Sequence, residues 1–435
     1  MTKIAFIGAG SLTFSQRLMI DILSFPELQE TTFALMDIDA KRLEYTRRVG
    51  ERILREGNYP ARIEATTDRR QALEGADYVV TMLLVGDIDV IRSDIEIPLK
   101  YGVDQCIGDT LGPGGVFRAL RTIPVMLNIC RDMEELCPDA WLLNYTNPMA
   151  MLCWAINDAT GIRNVGLCHS VQGTAWQLSQ YIGAPWEEVS YWVAGINHQA
   201  WFLELKWKGS DAYPLLRSKI DDPEVYGKDT TRFEMLKHLG YFVTESSGHN
   251  SEYNPWFRKR PDLLKRYTPG GGWNGGTGFI LDLYDTDRAD YEDKMERTAS
   301  GEEPLFLARS MEYASFIIHS LETGVPRRIN GNVRNDGLIS NLPHGCCVEV
   351  PCLVDGHGIT PCFVGDLPVQ LAALNRNNIA VQEMAVCGAL NRDRRAAFHA
   401  VAADPLTAAV LSLEEIRQMV DEMFEAEVRW LPSFG

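Results

Sequence analysis

The chain has 435 residues, of which 46% are hydrophobic and 23% charged, and it carries a formal net charge of −17. A chain of this length can bury a large core, in one large domain or in two closely joined ones. The negative charge argues against nucleic acid or an anionic membrane as a partner, because both would repel it. No apolar run is long enough to span a bilayer, so a small molecule is the expected partner.

The N-terminus and the cysteines indicate a location inside the cell. The sequence MTKIAFIGAG runs directly into a predicted strand, without the basic segment and cleavage site of a secretion signal. The ten cysteines are scattered without paired spacing, as in proteins whose thiols stay reduced. We therefore expect a cytoplasmic protein.

Short apolar strands alternate with helices through the first half of the chain. Strands are predicted at 3–8, 32–37, 61–67, 77–85, 140–146 and 164–170, and helices up to about 25, at 40–56 with Asp39 as N-cap, at 69–75, at 115–135 and up to about 159. Strands that are apolar nearly throughout are typical of a parallel sheet covered on both faces. Residues 1–195 are therefore predicted to form a doubly wound, Rossmann-like α/β domain.

The pattern changes after about residue 195. We expect a long alternating strand from 198, helices near 229–239 and 303–323, an irregular glycine-rich loop at 268–279, antiparallel strands at RRINGNV, GLIS, CCVEVPCLVD and ITPCFVG, and two or three helices from about 368 to 431. These elements predict an α+β domain at 196–435, for substrate, metal and oligomer contacts. It would pack on the carboxyl edge of the first sheet, where ligands of such folds bind.

A glycine turn, GAGS, lies between the first strand and the first helix. Gly8 permits the tight turn, and Gly10, followed by Ser11, lets backbone N–H groups approach a pyrophosphate at the helix N-terminus. Asp37 ends the second strand, where a carboxylate can accept from ribose hydroxyls and would repel a 2′-phosphate, which favours NAD over NADP. Thr13 occupies the place of the third glycine, so a turn without a nucleotide is the alternative.

Two possible metal ligands, Cys168 and His198, each lie at the end of a predicted strand about thirty residues apart. If the two strands were neighbours in one sheet, the side chains would meet at its edge. The alternative is that Cys168 is a small buried hydrophobe and His198 a polar group with ordinary partners. Two ligands without a carboxylate make an incomplete site, but substrate hydroxyls and water could supply the rest and leave the metal as a Lewis acid.

Two further polar residues follow predicted strands. Asp109 is a carboxylate set among glycines in the loop IGDTLGPGGVFRALR, where it could act chemically or serve only as a turn or N-cap residue. Asn147 precedes Pro148 after the fifth strand. It could bind a sugar hydroxyl or merely begin a helix.

Several long motifs, in order, resemble those of glycoside hydrolase family 4, and most closely its α-galactosidase branch. The likeness extends from about residue 3 to the C-terminal helices. The motifs are GAGS, LMDID, DTLGPGG, LNYTNPMAM, VGLCHSVQG, GINHQAWF, YFVTESSGHNSEYNPWF and GNVRNDGLISNLPHGCCVEV.

The resemblance implies a glycosidase that needs NAD⁺ and a divalent metal, usually Mn²⁺, and that has a fold similar to lactate and malate dehydrogenases. The family is an exception to hydrolysis by two carboxylates. Hydride transfer from C3 of the sugar to NAD⁺ makes a ketone and acidifies C2–H, elimination expels the aglycone, water adds, and the hydride returns. A homo-oligomer, dimer or tetramer, is also expected, because dehydrogenase-like folds often pair through helical surfaces.

The resemblance also assigns roles to individual residues. Cys168 and His198 match the family's metal ligands, and Tyr253 matches its base, which would take the C2 proton if a cation lowered the pKa of the phenol. The general acid would be Asp109, since relatives carry an acidic residue at that place, or His169, beside the metal ligand. The CHS motif is similar to that of enzymes acting on non-phosphorylated sugars.

An α-galactoside such as melibiose is therefore the expected substrate. The glycine-rich loop 268–279 differs from the corresponding stretch of the α-galactosidase branch, so an α-glucoside or an α-galacturonide or glucuronide is the alternative within the same mechanism. A plain NAD-dependent hydroxy-acid dehydrogenase and a nucleotide-sensing protein without turnover are the alternatives from other classes.

Overall fold

The structure of the protein is a computed structural model that describes residues 1–11 and 14–434, without the side chains of residues 287 and 288. Thr13, which stands in place of the third glycine of the nucleotide motif, lies outside the described residues. The strands are β1 Lys3–Ile7, β2 Thr32–Met36, β3 Arg62–Thr66, β4 Tyr78–Thr81, β5 Trp141–Asn144, β6 Asn164–Gly166, β7 Val189–Ile196, β8 Gln199–Trp207, β9 Ser210–Asp211, β10 Arg327–Arg334, β11 Cys347–Asp355 and β12 Gly358–Pro361.

Helices connect most of these strands. They are α1 Phe14–Leu23, α2 Ala40–Gly57, α3 Arg69–Leu73, α4 Ile88–Lys100, α5 Gly112–Leu136, α6 Met149–Ala159, α7 Ser170–Ile182, α8 Tyr213–Ser218, α9 Pro223–Tyr226, α10 Thr230–Leu239, α11 Ser247–Glu252, α12 Pro261–Tyr267, α13 Phe279–Ser300, α14 Tyr313–Thr323, α15 Val369–Asn391, α16 Arg394–Ala403, α17 Pro405–Val410 and α18 Leu413–Ala426. Asp39 caps α2 as predicted, accepting from the N–H groups of Lys41 and Arg42.

The first six strands form a parallel sheet in the order β3-β2-β1-β4-β5-β6. This is the order of a Rossmann fold, in which the chain reverses direction across the sheet between β1 and β4. Central residues such as Phe6, Val79 and Leu142 are completely buried, because helices cover such a sheet on both faces. The predicted doubly wound α/β class is confirmed.

The strands of the second half continue this sheet. β10 pairs with β6, β11 with β10, and β7 with β11, all antiparallel, so that one sheet of twelve strands contains residues from both halves of the chain. The expectation of a separate layer packed on the first sheet is therefore wrong for these strands. Pairing with β10 gives hydrogen-bond partners to backbone groups of β6 that would be unpaired if β6 were the edge of the sheet. The division of the chain at residue 195 stays a prediction.

Three expectations for the second half need correction. The helix predicted at 303–323 begins only at Tyr313, because the preceding segment is held by Asp21, whose carboxylate accepts from the backbone N–H and hydroxyl of Ser310. GLIS is not a strand and forms only an isolated bridge between Ile339 and Gly365. Four helices, α15 to α18, close the described part of the chain instead of two or three.

Seven helices of the described residues had no counterpart among the sequence-based expectations. These are α4, α7, α8, α9, α11, α12 and α13. Among the described residues, no helix combines the length and the apolar composition needed to cross a bilayer.

Candidate active site

Cys168 and His198 meet in the interior of the protein, with Sγ of the cysteine 3.3 Å from Nε2 of the histidine. Cys168 lies two residues after the end of β6, and His198 lies in the two-residue turn between β7 and β8. The two strands are not neighbours in the sheet, because β10 and β11 lie between β6 and β7. Each outer strand is joined to this pair by a single bridge, and the two side chains meet through the loops that follow the strands.

Glu245 joins this pair. Its Oε2 lies 3.4 Å from Nε2 of His198, and one ligand atom from each of Cys168, His198 and Glu245 lies within 4.8 Å of the others. Glu245 was not among the site residues predicted from the sequence, although it lies within the motif YFVTESSGHNSEYNPWF. A glutamate beside serines in a loop carries no periodic signal, and only its contact with His198 distinguishes it.

A second group of side chains surrounds the other nitrogen of the same imidazole. Nδ1 of His198 lies 3.1 Å from Nε2 of His249, and that atom lies 2.8 Å from Oγ1 of Thr110. The hydroxyl of Tyr253 lies 2.5 Å from the same Thr110 oxygen. Ser246 caps the short helix α11, which carries His249, and Tyr253 follows that helix. The structure thus brings Tyr253 beside the cysteine–histidine pair.

Asp109 and Asn147 lie next to this group. The Asn147 amide donates a 2.9 Å hydrogen bond to Oδ2 of Asp109. Oδ1 of Asp109 is buried without a hydrogen-bond partner among the described residues, and it lies 3.8 Å from Nε2 of His249. Arg118 approaches the carboxylate to 3.9 Å. Asp109, His198 and His249 form a second set of potential metal ligands within 4.8 Å of one another.

Glu252 fixes the loop that carries Asp109 and Thr110 against α11. Its carboxylate accepts from the backbone N–H groups of Cys106, Ile107 and Gly108, at 2.7, 3.2 and 3.0 Å. Burial raises the pKa of Glu252 to about 7, although these donors oppose the shift. The relative positions of Thr110 and Tyr253 therefore depend on this one buried side chain.

The pKa values of the two histidines are shifted in opposite directions. Burial alone would lower the pKa of His198, but Glu245 and the Cys168 sulfur outweigh burial and raise it to about 10. Burial, with the positive charge of His198, lowers the pKa of His249 to about 4. Burial would raise the pKa of Glu245, but His198 and His249 lower it to about 2. His249 is therefore neutral, whereas Glu245 and Cys168 favour positive charge at His198.

Burial also changes the pKa of the Tyr253 phenol. Burial raises its pKa well above the usual value of 10, although the hydrogen bond with Thr110 works against the shift. A role as base therefore requires further positive charge nearby.

His169 lies at the surface of the protein. Its side chain is 61% exposed, and Nδ1 lies 3.7 Å from Oε1 of the buried Glu312. The ring also lies beside Phe14, with centroids 6.2 Å apart. Of the two candidate acids, Asp109 thus lies among the buried polar groups and His169 at the surface.

The residues predicted to bind the nucleotide lie at the carboxyl ends of β1 and β2. Gly8 has a φ of 88°, and a Cβ there would lie 2.7 Å from the carbonyl oxygen of Met82, so only glycine fits this turn. The N–H of Gly10 donates to Asp37 Oδ2 at 2.7 Å, instead of pointing freely outward. Ser11 closes the turn, its N–H donating to the Gly8 carbonyl at 3.3 Å.

Comparison with known proteins gives the family. Residues 3–184 match the model of the family 4 glycosyl hydrolases, and residues 193–407 match the model of their C-terminal domain. An α-galactosidase of Bacillus subtilis is 43% identical over the full length of both chains. An α-galactosidase of Rhizobium meliloti is 42% identical over all of this chain and 90% of its own. An α-galacturonidase of Lachnoclostridium phytofermentans is 30% identical over 99% of this chain and 97% of its own.

Solved structures agree. The Bacillus subtilis protein lplD has a TM-score of 0.87 at 27% identity, covering 97% of this chain and 99% of its own. A 6-phospho-α-glucosidase from gut microorganisms, solved in complex with NAD and Mn²⁺, has a TM-score of 0.82 at 20% identity over the whole of both chains, which shows the shared fold. The two family models together cover most of the chain, so this protein belongs to the family 4 glycosyl hydrolases.

Proposed function

We propose that the protein is an α-galactosidase that hydrolyses non-phosphorylated α-galactosides such as melibiose with the help of NAD and a divalent metal, Mn²⁺. The observation that carries the proposal is the 3.3 Å contact between Sγ of Cys168 and Nε2 of His198. The other ring nitrogen of His198 contacts His249, so the group that contains Tyr253 lies next to this pair. The two α-galactosidases that match the whole chain support the choice of sugar.

The residues present fit a divalent metal. Cys168 and His198 offer sulfur and nitrogen donors of the kind that bind such ions, and both are buried. Oδ1 of Asp109 nearby lacks a hydrogen-bond partner. When bound, the metal would act as a Lewis acid toward the oxygens at C2 and C3 of the sugar. It would also supply the positive charge that the Tyr253 phenol needs.

The residues at the carboxyl ends of β1 and β2 fit a dinucleotide. Gly8, Gly10 and Ser11 bring the backbone close to a position where a pyrophosphate can lie, and the carboxylate of Asp37 can accept from ribose hydroxyls. A dinucleotide held by these residues would supply reversible hydride transfer at C3 of the sugar without being consumed. A 2′-phosphate would be repelled by Asp37.

Tyr253 is proposed as the base that removes the proton from C2. Its hydroxyl is buried, so its own proton needs a route away from the phenol. Thr110 and His249 supply a continuous path, with successive distances of 2.5 and 2.8 Å. Burial and the positive charge of His198 lower the pKa of His249 to about 4, so this imidazole is neutral and would only pass the proton on, toward Asp109, whose Oδ1 lies 3.8 Å from the same nitrogen.

Asn147 is proposed to bind a sugar hydroxyl. Its amide is already oriented by the hydrogen bond to Asp109, so it loses little freedom on binding. The leaving group would receive its proton from Asp109 or from His169, and the two are distinguished by an experiment described in the Discussion.

Solvent deuterium tests the mechanism. The protein would be incubated with p-nitrophenyl α-galactoside, NAD⁺, Mn²⁺ and thiol in D₂O, and the released sugar examined by NMR. Deuterium at C2 supports proton removal and elimination, whereas hydrolysis without label contradicts them. The Cys168→Ser variant, run in parallel, is the control for label introduced without the enzyme.

Other outcomes identify the alternatives. Stoichiometric accumulation of NADH would indicate a hydroxy-acid dehydrogenase, and NAD binding without hydrolysis would indicate a sensor. The α-galacturonidase matched at 30% identity makes an α-galacturonide the principal competing sugar, and it should be compared with an α-galactoside and an α-glucoside in one panel. A higher kcat/KM for the α-galacturonide or the α-glucoside than for the α-galactoside would replace the proposed substrate.

We further propose a cytoplasmic homo-oligomer, dimer or tetramer. All ten cysteines are free thiols, which is typical of a reducing compartment. Light scattering during size-exclusion chromatography would give the molar mass, and a monomer would contradict the proposed assembly.

A further inference from the structure

Glu245 has an unfavourable backbone conformation beside the cysteine–histidine pair. Its φ is 72°, in the left-handed region that side-chain-bearing residues rarely adopt. Among the described residues, four other non-glycine residues share this property, and one of them is His198, with a φ of 63°. The remaining three, Asn58, Lys208 and Arg392, lie in caps or turns at the ends of helices or strands.

The strain at Glu245 is imposed by its neighbours along the chain. Thr244 is fixed to β8, because its N–H donates to the Ala200 carbonyl at 2.9 Å and its hydroxyl accepts from the Ala200 N–H at 3.1 Å. On the other side, Ser246 is held as the N-cap of α11 through the N–H of His249. Backbone strain of this kind persists where surrounding structure enforces it, and it is concentrated at functional sites.

The three side chains have separations suited to one ion. Sγ of Cys168 and Nε2 of His198 are 3.3 Å apart, and Nε2 of His198 and Oε2 of Glu245 are 3.4 Å apart. Ligands with metal bonds of about 2.0–2.3 Å lie roughly 3.0–3.6 Å from one another when they occupy adjacent positions around one metal. Each of these two pairs falls within that interval.

The contact with His249 favours this set over the one that contains Asp109. Nδ1 of His198 is engaged with Nε2 of His249 at 3.1 Å. A metal-binding histidine usually has its second ring nitrogen held by a hydrogen bond, which directs the other nitrogen at the metal. That other nitrogen, Nε2, is the atom that faces Cys168 and Glu245.

We propose that Glu245 is a third protein ligand of the divalent metal, together with Cys168 and His198. The inference rests on the proposed metal dependence and is independent of the identity of the sugar. A set of one sulfur, one nitrogen and one carboxylate leaves coordination positions for substrate oxygens and water, as three-ligand sites generally do.

Binding of Mn²⁺ alone to the full-length chain tests the proposal, without NAD or sugar. In isothermal titration calorimetry, Glu245→Gln is expected to raise the Kd for Mn²⁺ at least about 10- to 100-fold. Removal of a residue that only hydrogen-bonds to a metal ligand already causes a loss of affinity of this size. Water-proton relaxation should show an additional exchangeable water on bound Mn²⁺. With Co²⁺, the cobalt–thiolate absorption of Cys168 should persist while the visible bands change.

Two further variants keep the result interpretable. Glu245→Gly also removes the carboxylate, but glycine accepts a φ of 72° without strain, so its thermal unfolding in EDTA should match or exceed that of the wild type while Mn²⁺ affinity falls. Asp109→Asn should leave the Kd within about twofold of the wild-type value.

Unchanged affinity in both Glu245 variants overturns the proposal, and a loss confined to Asp109→Asn assigns the metal to the second set. Normal Glu245-dependent Mn²⁺ binding in a protein that does not cleave α-galactosides refutes the proposed function alone.

Discussion

The hydroxyl of Tyr253 and Oγ1 of Thr110 lie 2.5 Å apart in a buried contact between residues separated by 143 positions in the sequence. The contact depends on Glu252, which joins the loop before Thr110 to the helix before Tyr253. Because Thr110 also contacts His249, a tyrosine without access to solvent has a path for its proton.

Tyr253→Phe is expected to lower kcat by about 10²- to 10⁴-fold, the usual contribution of a general base. The phenyl ring preserves the packing, so stability and Mn²⁺ affinity should change little. Exchange of the C2 hydrogen with D₂O, followed by NMR, should disappear together with hydrolysis. A normal rate of exchange in this variant would exclude Tyr253 as the base.

Thr110→Val removes the hydroxyl between Tyr253 and His249 while retaining the shape of the side chain. We expect kcat to fall by about 10²-fold, because the phenol proton then lacks its path, with KM close to the wild-type value. Thr110→Ser is the matched control and should restore most of the rate. Equal rates for the valine and serine variants would show that the Thr110 hydroxyl does not take part in proton transfer.

Cys168→Ser and His198→Ala should each abolish metal-dependent turnover. Both residues supply donors to the proposed metal, and a serine hydroxyl is a much weaker ligand than a thiolate. Activity would be measured against added Mn²⁺ after treatment with EDTA. Full activity in either variant, at wild-type Mn²⁺ concentrations, would remove that residue from the ligand set.

The leaving group distinguishes Asp109 from His169 as general acid. p-Nitrophenolate departs without a proton, whereas the sugar released from melibiose needs one. The variant that lacks the acid should therefore retain much of its kcat on p-nitrophenyl α-galactoside and lose about 10²-fold or more on melibiose. We would compare Asp109→Asn with His169→Gln on both substrates. A parallel loss on both would indicate a role in binding instead.

Glu349 should make stability depend on pH. It is completely buried, and burial raises its pKa from 4.5 to about 8. Between these values the folded protein holds a proton that the unfolded chain releases, so the stabilising contribution is present below pH 4.5 and is lost as pH rises to 8. Urea unfolding in EDTA should show this decline for the wild type. Glu349→Gln should show a flatter profile, and an unchanged slope would contradict the assignment.

The order of the strands in the first half followed from the sequence. Burial on both faces makes a strand apolar throughout, and this pattern is local, so β1, β2 and β4 could be recognised within each short segment. The cap at Asp39 is equally local, since its carboxylate reaches only the next turn of the chain. The identity of Cys168 and His198 as a pair also came from the sequence, through the motifs that contain them.

Only the tertiary structure decided what surrounds that pair. β10 and β11 separate β6 from β7, and the two side chains meet through loops whose paths depend on long-range pairing. Glu245, His249 and Thr110 have no periodic pattern, and each gained its role from a contact with a residue distant in the sequence. Local burial patterns specify elements, whereas contacts between loops depend on how the whole sheet assembles.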